Sequence, residues 1–337
     1  MRLMPIQTTV VGSYPIPRWL YGDESKGTLR DAIAVVLKTQ ELAGIDLVAD
    51  GELSRFDTSH PETNGMIDYF VGSMSGIKTQ YSISDIDAFR NDAGMGFRAA
   101  PAGVVIGKIG EGVLNLPADY ELTRPLTDKP LKFTLTGPHM LTKTLTDRHY
   151  GSREKTAMAV AEVLREQVER IPADVVQLDE ANIPGHPEDI PWAAEALNHV
   201  LEGIQNIAGC HICFGNYGGQ TIQKGLWEKL IPLLNALNVD HFVLEFARRG
   251  YGELPLLKDV DPSKRIGLSV VDIKDNEVES ADLIATRIEH AAQVLGEERI
   301  AYIHPDCGFW MLTRSVADRK MRALVEGRDL FYGRKSS

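Results

Sequence analysis

The chain is poor in cysteine, with three among 337 residues, at positions 210, 213 and 307. So sparse and odd a set builds no disulfide framework, and it fits a reducing compartment. Basic runs are missing as well. Lysine and arginine number 36 against 47 acids, for a formal net charge of −11. Such a balance lacks the footprint of a nucleic-acid binder or of a protein held on an anionic membrane. No stretch reaches the roughly 18 consecutive apolar residues of a membrane helix. The opening run MRLMPIQTTVVGSYP has no basic segment followed by an apolar core, so a secretory leader is not expected and the cytoplasm is. No internal repeat or low-complexity tract interrupts the chain.

What is present is an ordinary globular balance, 43% hydrophobic and 25% charged, enough for a large core. Short β-branched runs alternate with longer amphipathic ones. Strands are predicted at 8–11, 47–49, 133–135, 175–178, 211–214, 241–244, 267–271 and 301–303. Helical spacing appears over 29–43, 154–170, 187–207, 222–237, 281–296 and 313–326. Eight strands separated by helices argue for parallel pairing and for a single α/β domain over 1–337, a (βα)8 TIM barrel. Residues 57–130 break the rhythm. They are rich in Gly and Pro and contain one further strand-like run, VVIGKIG. An insertion after the second barrel strand is expected, forming part of a cleft wall or lid.

Barrels of this kind carry function at the C-terminal ends of their strands. Reading those ends in order gives Gly12-Ser13, Asp50-Gly51-Glu52, Gly137-Pro138-His139 and Asp179-Glu180. Then come His211 with Cys213, Glu245, Asp272 with Lys274, and Asp306-Cys307. Alternation along a strand points His211 and Cys213 to the same side. With Cys307 from another strand end they form a candidate zinc site, and the bland alternative is a buried histidine and two small apolar cysteines. Glu245 is the natural fourth ligand; otherwise it pairs with Arg248 or Arg249. Two thiolates, one carboxylate and one imidazole leave Zn²⁺ with net charge −1. So electron-rich an ion suits the binding and deprotonation of a substrate thiol. The residues themselves therefore point to thiol alkylation.

The runs TTVVGSYP, DGELSRFD, TGP, QLDEANIPG, HICFGN, LEFARRG and HPDCG occur in this order. They make the chain resemble the catalytic barrel of cobalamin-independent methionine synthases, in particular the short single-barrel branch. The resemblance implies a methyltransferase that converts homocysteine to methionine. It implies that His211, Cys213, Glu245 and Cys307 ligate zinc, and that Gly12 and Ser13 hold the amino-acid carboxylate. Glu52 and Asp179 would bind the ammonium group.

Two departures concern the methyl donor. The loop GPHMLTKTLTD lacks the tryptophan on which a folate stacks, and Lys274 stands in VVDIKDN where a proton-donating histidine is expected. An ordinary lysine is a weaker general acid at neutral pH. A methyl-corrinoid, free or on a carrier protein, needs neither feature and is the expected donor. Lys274 and Asp179 are the catalytic candidates. The competing readings are a transferase acting on another thiol, such as coenzyme M with an epoxide or methyl electrophile, and a metal-free decarboxylase of the uroporphyrinogen type. The latter needs arginines along its cleft. A structural zinc protein is a further reading, disfavoured because the ligands come from separate strand ends.

Overall fold

The computed structural model describes residues 5–23, 25–92, 98–216 and 221–336. Eight strands form one sheet: β1 Gln7–Thr8, β2 Val48–Ala49, β3 Leu131–Thr136, β4 Val175–Glu180, β5 Ile207–Ile212, β6 His241–Leu244, β7 Arg265–Val271 and β8 Ile300–Pro305. Their spatial order is β1-β8-β7-β6-β5-β4-β3-β2, and every pairing is parallel. A parallel bridge between Thr9 and Leu47 joins the two ends, so the sheet closes on itself. This is the expected eight-stranded barrel, and from β2 to β8 the strands are buried on both faces over most of their length, as a parallel sheet under helices requires.

Strand lengths differ from the sequence expectation where interior side chains intervene. β1 stops at Thr8 instead of continuing to Val11. The carbonyl oxygens of Val10 and Val11 are taken by Lys132 Nζ and Gln177 Nε2, not by a neighbouring strand. β5 begins at Ile207 and ends at Ile212, so Cys213 and Phe214 lie just beyond it. Phe214 N there donates to the Glu245 carboxylate at 2.7 Å. The helix expected over 222–237 is confined to Ile231–Ala236 after a 3-10 turn, Trp227–Leu230. Pro232 is tolerated only in its first turn, where no backbone N–H is needed.

The helix Lys26–Ala43 shows how the outer layer is fixed. Ser25 caps its first turn, Gly44 ends it in the left-handed region at φ 88°, and Ala32, Ile33, Val36 and Leu37 face the barrel. Gln40 from the same helix bonds both the N–H and the C=O of Ala49, at 2.9 and 2.6 Å. That pairing ties down the two-residue strand β2.

The 57–130 region holds the helices Asp68–Ser73, Ile83–Asp92 and Leu116–Thr123 and the strands Ser75–Lys78 and Gly103–Gly110. These strands pair antiparallel, and the second also pairs parallel with Leu145–Asp147, giving a separate three-stranded sheet. No helix among the described residues is long and apolar enough to cross a membrane.

Candidate active site at the barrel mouth

A cavity of about 500 Å³ opens over the C-terminal strand ends. Ser13, Glu52, Asp179, His211, Cys213 and Cys307 line it from the barrel side. Glu62, Asn64, Tyr81 and Arg98 line it from the 57–130 region, which thus contributes a wall. Gly12, Glu245 and Lys274 are not among the lining residues.

His211, Cys213 and Cys307 converge. Their ligand atoms all lie within 4.8 Å of one another. β5 carries the first and positions the second, and the loop after β8 carries the third. His211 is 2% exposed, and its Nδ1 pairs with Val243 O at 2.9 Å. A carbonyl only accepts, so Nδ1 carries a proton, and Nε2 is the nitrogen left to face the two sulfurs. That Nε2 is buried and has no hydrogen-bond partner. The hydrogen bond from Cys213, aided by nearby His211 and Lys274, holds the Cys307 thiol well below its usual range. The same contact, together with burial, pushes Cys213 up. Two sulfurs and an imidazole nitrogen thus meet at one point, a donor set that fits a metal ion.

Glu245 stands beside this group, not in it. Its side chain is fully buried, with Oε1 on Lys274 Nζ at 2.8 Å and Oε2 on Phe214 N at 2.7 Å. Arg248 pairs with Asp272 at 3.1 Å, and Arg249 with Glu253 at 3.1 Å while lying over the Phe214 ring. Neither arginine is its partner. Burial draws the Lys274 ammonium down, but the Glu245 charge and hydrogen bond outweigh it and hold the group above its ordinary value.

The acids on the other side are equally constrained. Glu52 has φ 59°, the one left-handed non-glycine residue among those described. It accepts from Thr134 Oγ1 at 2.7 Å and pairs with Arg55 Nη1 at 3.2 Å. A Cβ on Gly12 would lie 2.1 Å from Glu52 Oε1, so glycine there makes room for the carboxylate. Asp179 is 2% exposed and accepts from Gln177 Nε2 at 2.7 Å. Burial first, and the Glu52 charge second, push it up to about 7. Ser13 O accepts from Phe309 N at 2.7 Å, which locks the turn after β1 against the loop bearing Cys307.

Sequence reasoning passed over Arg55, Lys132, Gln177 and Trp310. Arg55 follows Glu52 by three residues in DGELSRFD, and Trp310 lines the cavity from the HPDCGFW run. Tyr69, by contrast, is engaged with Asp119 and is not a lining residue. A second acid–histidine group, His186, Glu188 and Asp189, is a partly exposed ion-pair cluster in which Asp189 is held by His139 and Lys143.

Residues 6–328 match the family described as cobalamin-independent synthase, catalytic domain. The methionine synthase of Pyrococcus furiosus is 30% identical over 343 residues, covering 97% of this chain and 93% of that protein. That of Saccharolobus islandicus is 27% identical over 343 residues, with 97% and 95% covered. The fold is shared with a B12-independent methionine synthase from Shewanella sp. W3-18-1, solved with selenomethionine. That structure has a TM-score of 0.83 and 24% identity, with 99% of both chains covered. The chain therefore belongs to the cobalamin-independent synthase family, matching its catalytic domain nearly end to end, and is with its methionine synthase relatives a methyltransferase.

Proposed function

We propose that this protein methylates the thiol of homocysteine to give methionine, with zinc held by His211, Cys213 and Cys307 and completed by Glu245. The observation that carries the reading is the buried, unpartnered His211 Nε2 beside two sulfurs in a cavity that also holds Glu52 and Asp179. Tetrahedral zinc with Zn–S bonds near 2.3 Å needs ligand atoms about 3.7 Å apart, which is inside the 4.8 Å that bounds the present group. Zinc so bound would lower the pKa of a substrate thiol and keep it nucleophilic at neutral pH.

The chain's own residues do the rest. Asp179 and His211 are register partners on adjacent strands, so the acid stands about one strand spacing, ~4.8 Å, from the thiol-binding group. A short amino acid bearing both an ammonium and a thiol spans that distance. Glu52 and Asp179 supply the anionic partners that a buried ammonium requires. Gly12-Ser13 is assigned to the carboxylate, and the 57–130 wall to excluding water, both in a single-domain barrel.

The donor assigned is a methyl-corrinoid, delivered free or by a carrier. Lys274 is tied to Glu245, and residues 137–147 carry no aromatic. Neither a proton source nor a stacking surface for a folate stands at those two places. A second reading, methyltetrahydrofolate, is favoured by Tyr81 and Trp310, which offer aromatic surface to the cavity. The decarboxylase reading gains nothing, because among the described residues Arg98 is the one arginine lining the cavity and it pairs with Asp68 at 2.6 Å.

The test is an assay of purified, zinc-replete protein with homocysteine, comparing methylcobalamin with methyltetrahydrofolate. Methionine formed from methylcobalamin, with little from the folate, supports the full reading. Turnover with the folate alone replaces the donor, and no methionine from either removes the acceptor assignment.

A further inference from the structure

Beneath the cavity floor lies a polar chain that the reaction scheme does not use. Lys132 on β3 is 1% exposed and is not a lining residue. Its ammonium donates to Val10 O and, at 2.8 Å, to Gln177 Oε1. The Gln177 amide in turn donates from Nε2 to Val11 O at 3.1 Å and to Asp179 Oδ1 at 2.7 Å. This arrangement permits one orientation of the amide. An ammonium only donates and must meet Oε1, whereas a carbonyl and a carboxylate only accept and must meet the NH₂. Both amide hydrogens are used.

We infer that Lys132 is a positioning residue: by pinning the Gln177 amide it holds Asp179 Oδ1 in place and leaves the other carboxylate oxygen to a ligand's ammonium group. The inference rests on the proposed role of Asp179 in binding the acceptor. Among the described residues Glu52 has its own cation, Arg55, whereas Asp179 is in no ion pair. Arg55 and His211 act on it only through space, and its hydrogen-bonded link to a cation runs through Gln177 to Lys132. Burial draws Lys132 down to about 7, while the charges of Asp179 and Glu52 work to keep its proton. The other titratable groups facing it, His241 and His304, are buried and pushed down to about 3, so they stay neutral and do not compete for the acids. Without Lys132 the amide is free to turn its oxygen toward Asp179. The acid would then meet a repulsive dipole in place of a donor.

The experiment measures binding of L-methionine and of its amino-free analogue 4-(methylthio)butanoate by calorimetry. It uses the zinc-replete protein and the variants Lys132→Met and Gln177→Leu. Both variants are expected to weaken methionine by at least about tenfold while changing the analogue by less than about twofold, with zinc content unchanged. A variant that weakens both ligands alike, or that keeps full preference for methionine, overturns the inference. If the unmodified protein itself binds the two ligands equally, the ammonium role of Glu52 and Asp179 fails and takes this inference with it. Should Lys132→Met not fold, as judged by circular dichroism, Gln177→Leu decides by the same two criteria.

Discussion

Lys274 Nζ lies 2.8 Å from Glu245 Oε1, and the two side chains are 2% and 0% exposed. A buried pair like this is costly to break from one side, because the remaining charge has no solvent. Lys274→Met should therefore destabilise the metal-free protein by about 3–5 kcal/mol. Zinc drawn into contact with Glu245 would replace the lost cation. Thermal unfolding with and without zinc should show the variant recovering more stability than the parent does. An equal deficit in both states means that Glu245 is not a ligand. Activity of Lys274→Met should also fall far less than that of any ligand variant.

Cys213→Ser and Cys307→Ser should each lose zinc and activity together while keeping the barrel. The two sulfurs sit just past the ends of β5 and β8, and serine is nearly the same size as cysteine. Metal analysis alongside circular dichroism checks this. Full zinc occupancy in either variant would remove that cysteine from the site.

Gly12→Ala probes the acceptor side. The new Cβ would overlap Glu52 Oε1, which is already fixed by Thr134 and Arg55. Displacing a binding carboxylate by an ångström costs on the order of a hundredfold in KM or kcat. Homocysteine KM should rise strongly with zinc content unchanged. An unaltered KM would separate Glu52 from the acceptor.

Asp50 gives a pH signature. Burial raises its carboxyl to about 6, opposed by the Glu52 N–H and the Arg55 charge. The folded state then binds a proton that the unfolded chain has released. Stability is therefore lost as pH rises from about 4 through about 6, and the loss persists above that range. Asp50→Asn keeps an acceptor for Glu52 N and removes the ionisation. Urea unfolding should find the variant more stable by about 3 kcal/mol at pH 8 and equal to the parent at pH 4. Parallel pH profiles for the two proteins would contradict the assignment.

The barrel was legible because most of its strands are short, largely apolar runs buried on both faces, and such runs stand out without knowledge of their neighbours. The convergence of His211, Cys213 and Cys307 was legible for a related reason, since strand ends share one rim. Cross-strand partners were not. Glu245 has two arginines close in sequence, yet its partner is Lys274, one strand further on. Proximity along a parallel strand says little about contact, because the neighbouring strand is a helix away. Lys132 was missed because a lysine reads as surface. The clue lies in LKFTLT, where Lys132, Thr134 and Thr136 alternate in an otherwise apolar strand and so share one face. In a barrel that face is the interior. Arg55 lies in a 3-10 turn whose burial depends on Phe70 and Thr134, both far away in sequence.

The barrel closes through its two shortest strands, β1 and β2, joined by the single Thr9–Leu47 bridge. That seam divides the rim into two mechanical halves. His211, Cys213 and Cys307 ride on six-residue strands within the continuous part of the sheet. Gly12, Ser13 and Glu52 follow the two strands of the seam. On the proposed roles, the thiol-binding residues and Asp179 are thus anchored to long strands of the sheet, whereas Gly12, Ser13 and Glu52 hang on the edge most ready to breathe. Amide exchange should reach residues 9–13 and 47–52 before it reaches 207–212. Acceptor entry would then be accommodated by hinging at the seam, and the Phe309 N–Ser13 O bond would carry part of that motion to the loop bearing Cys307.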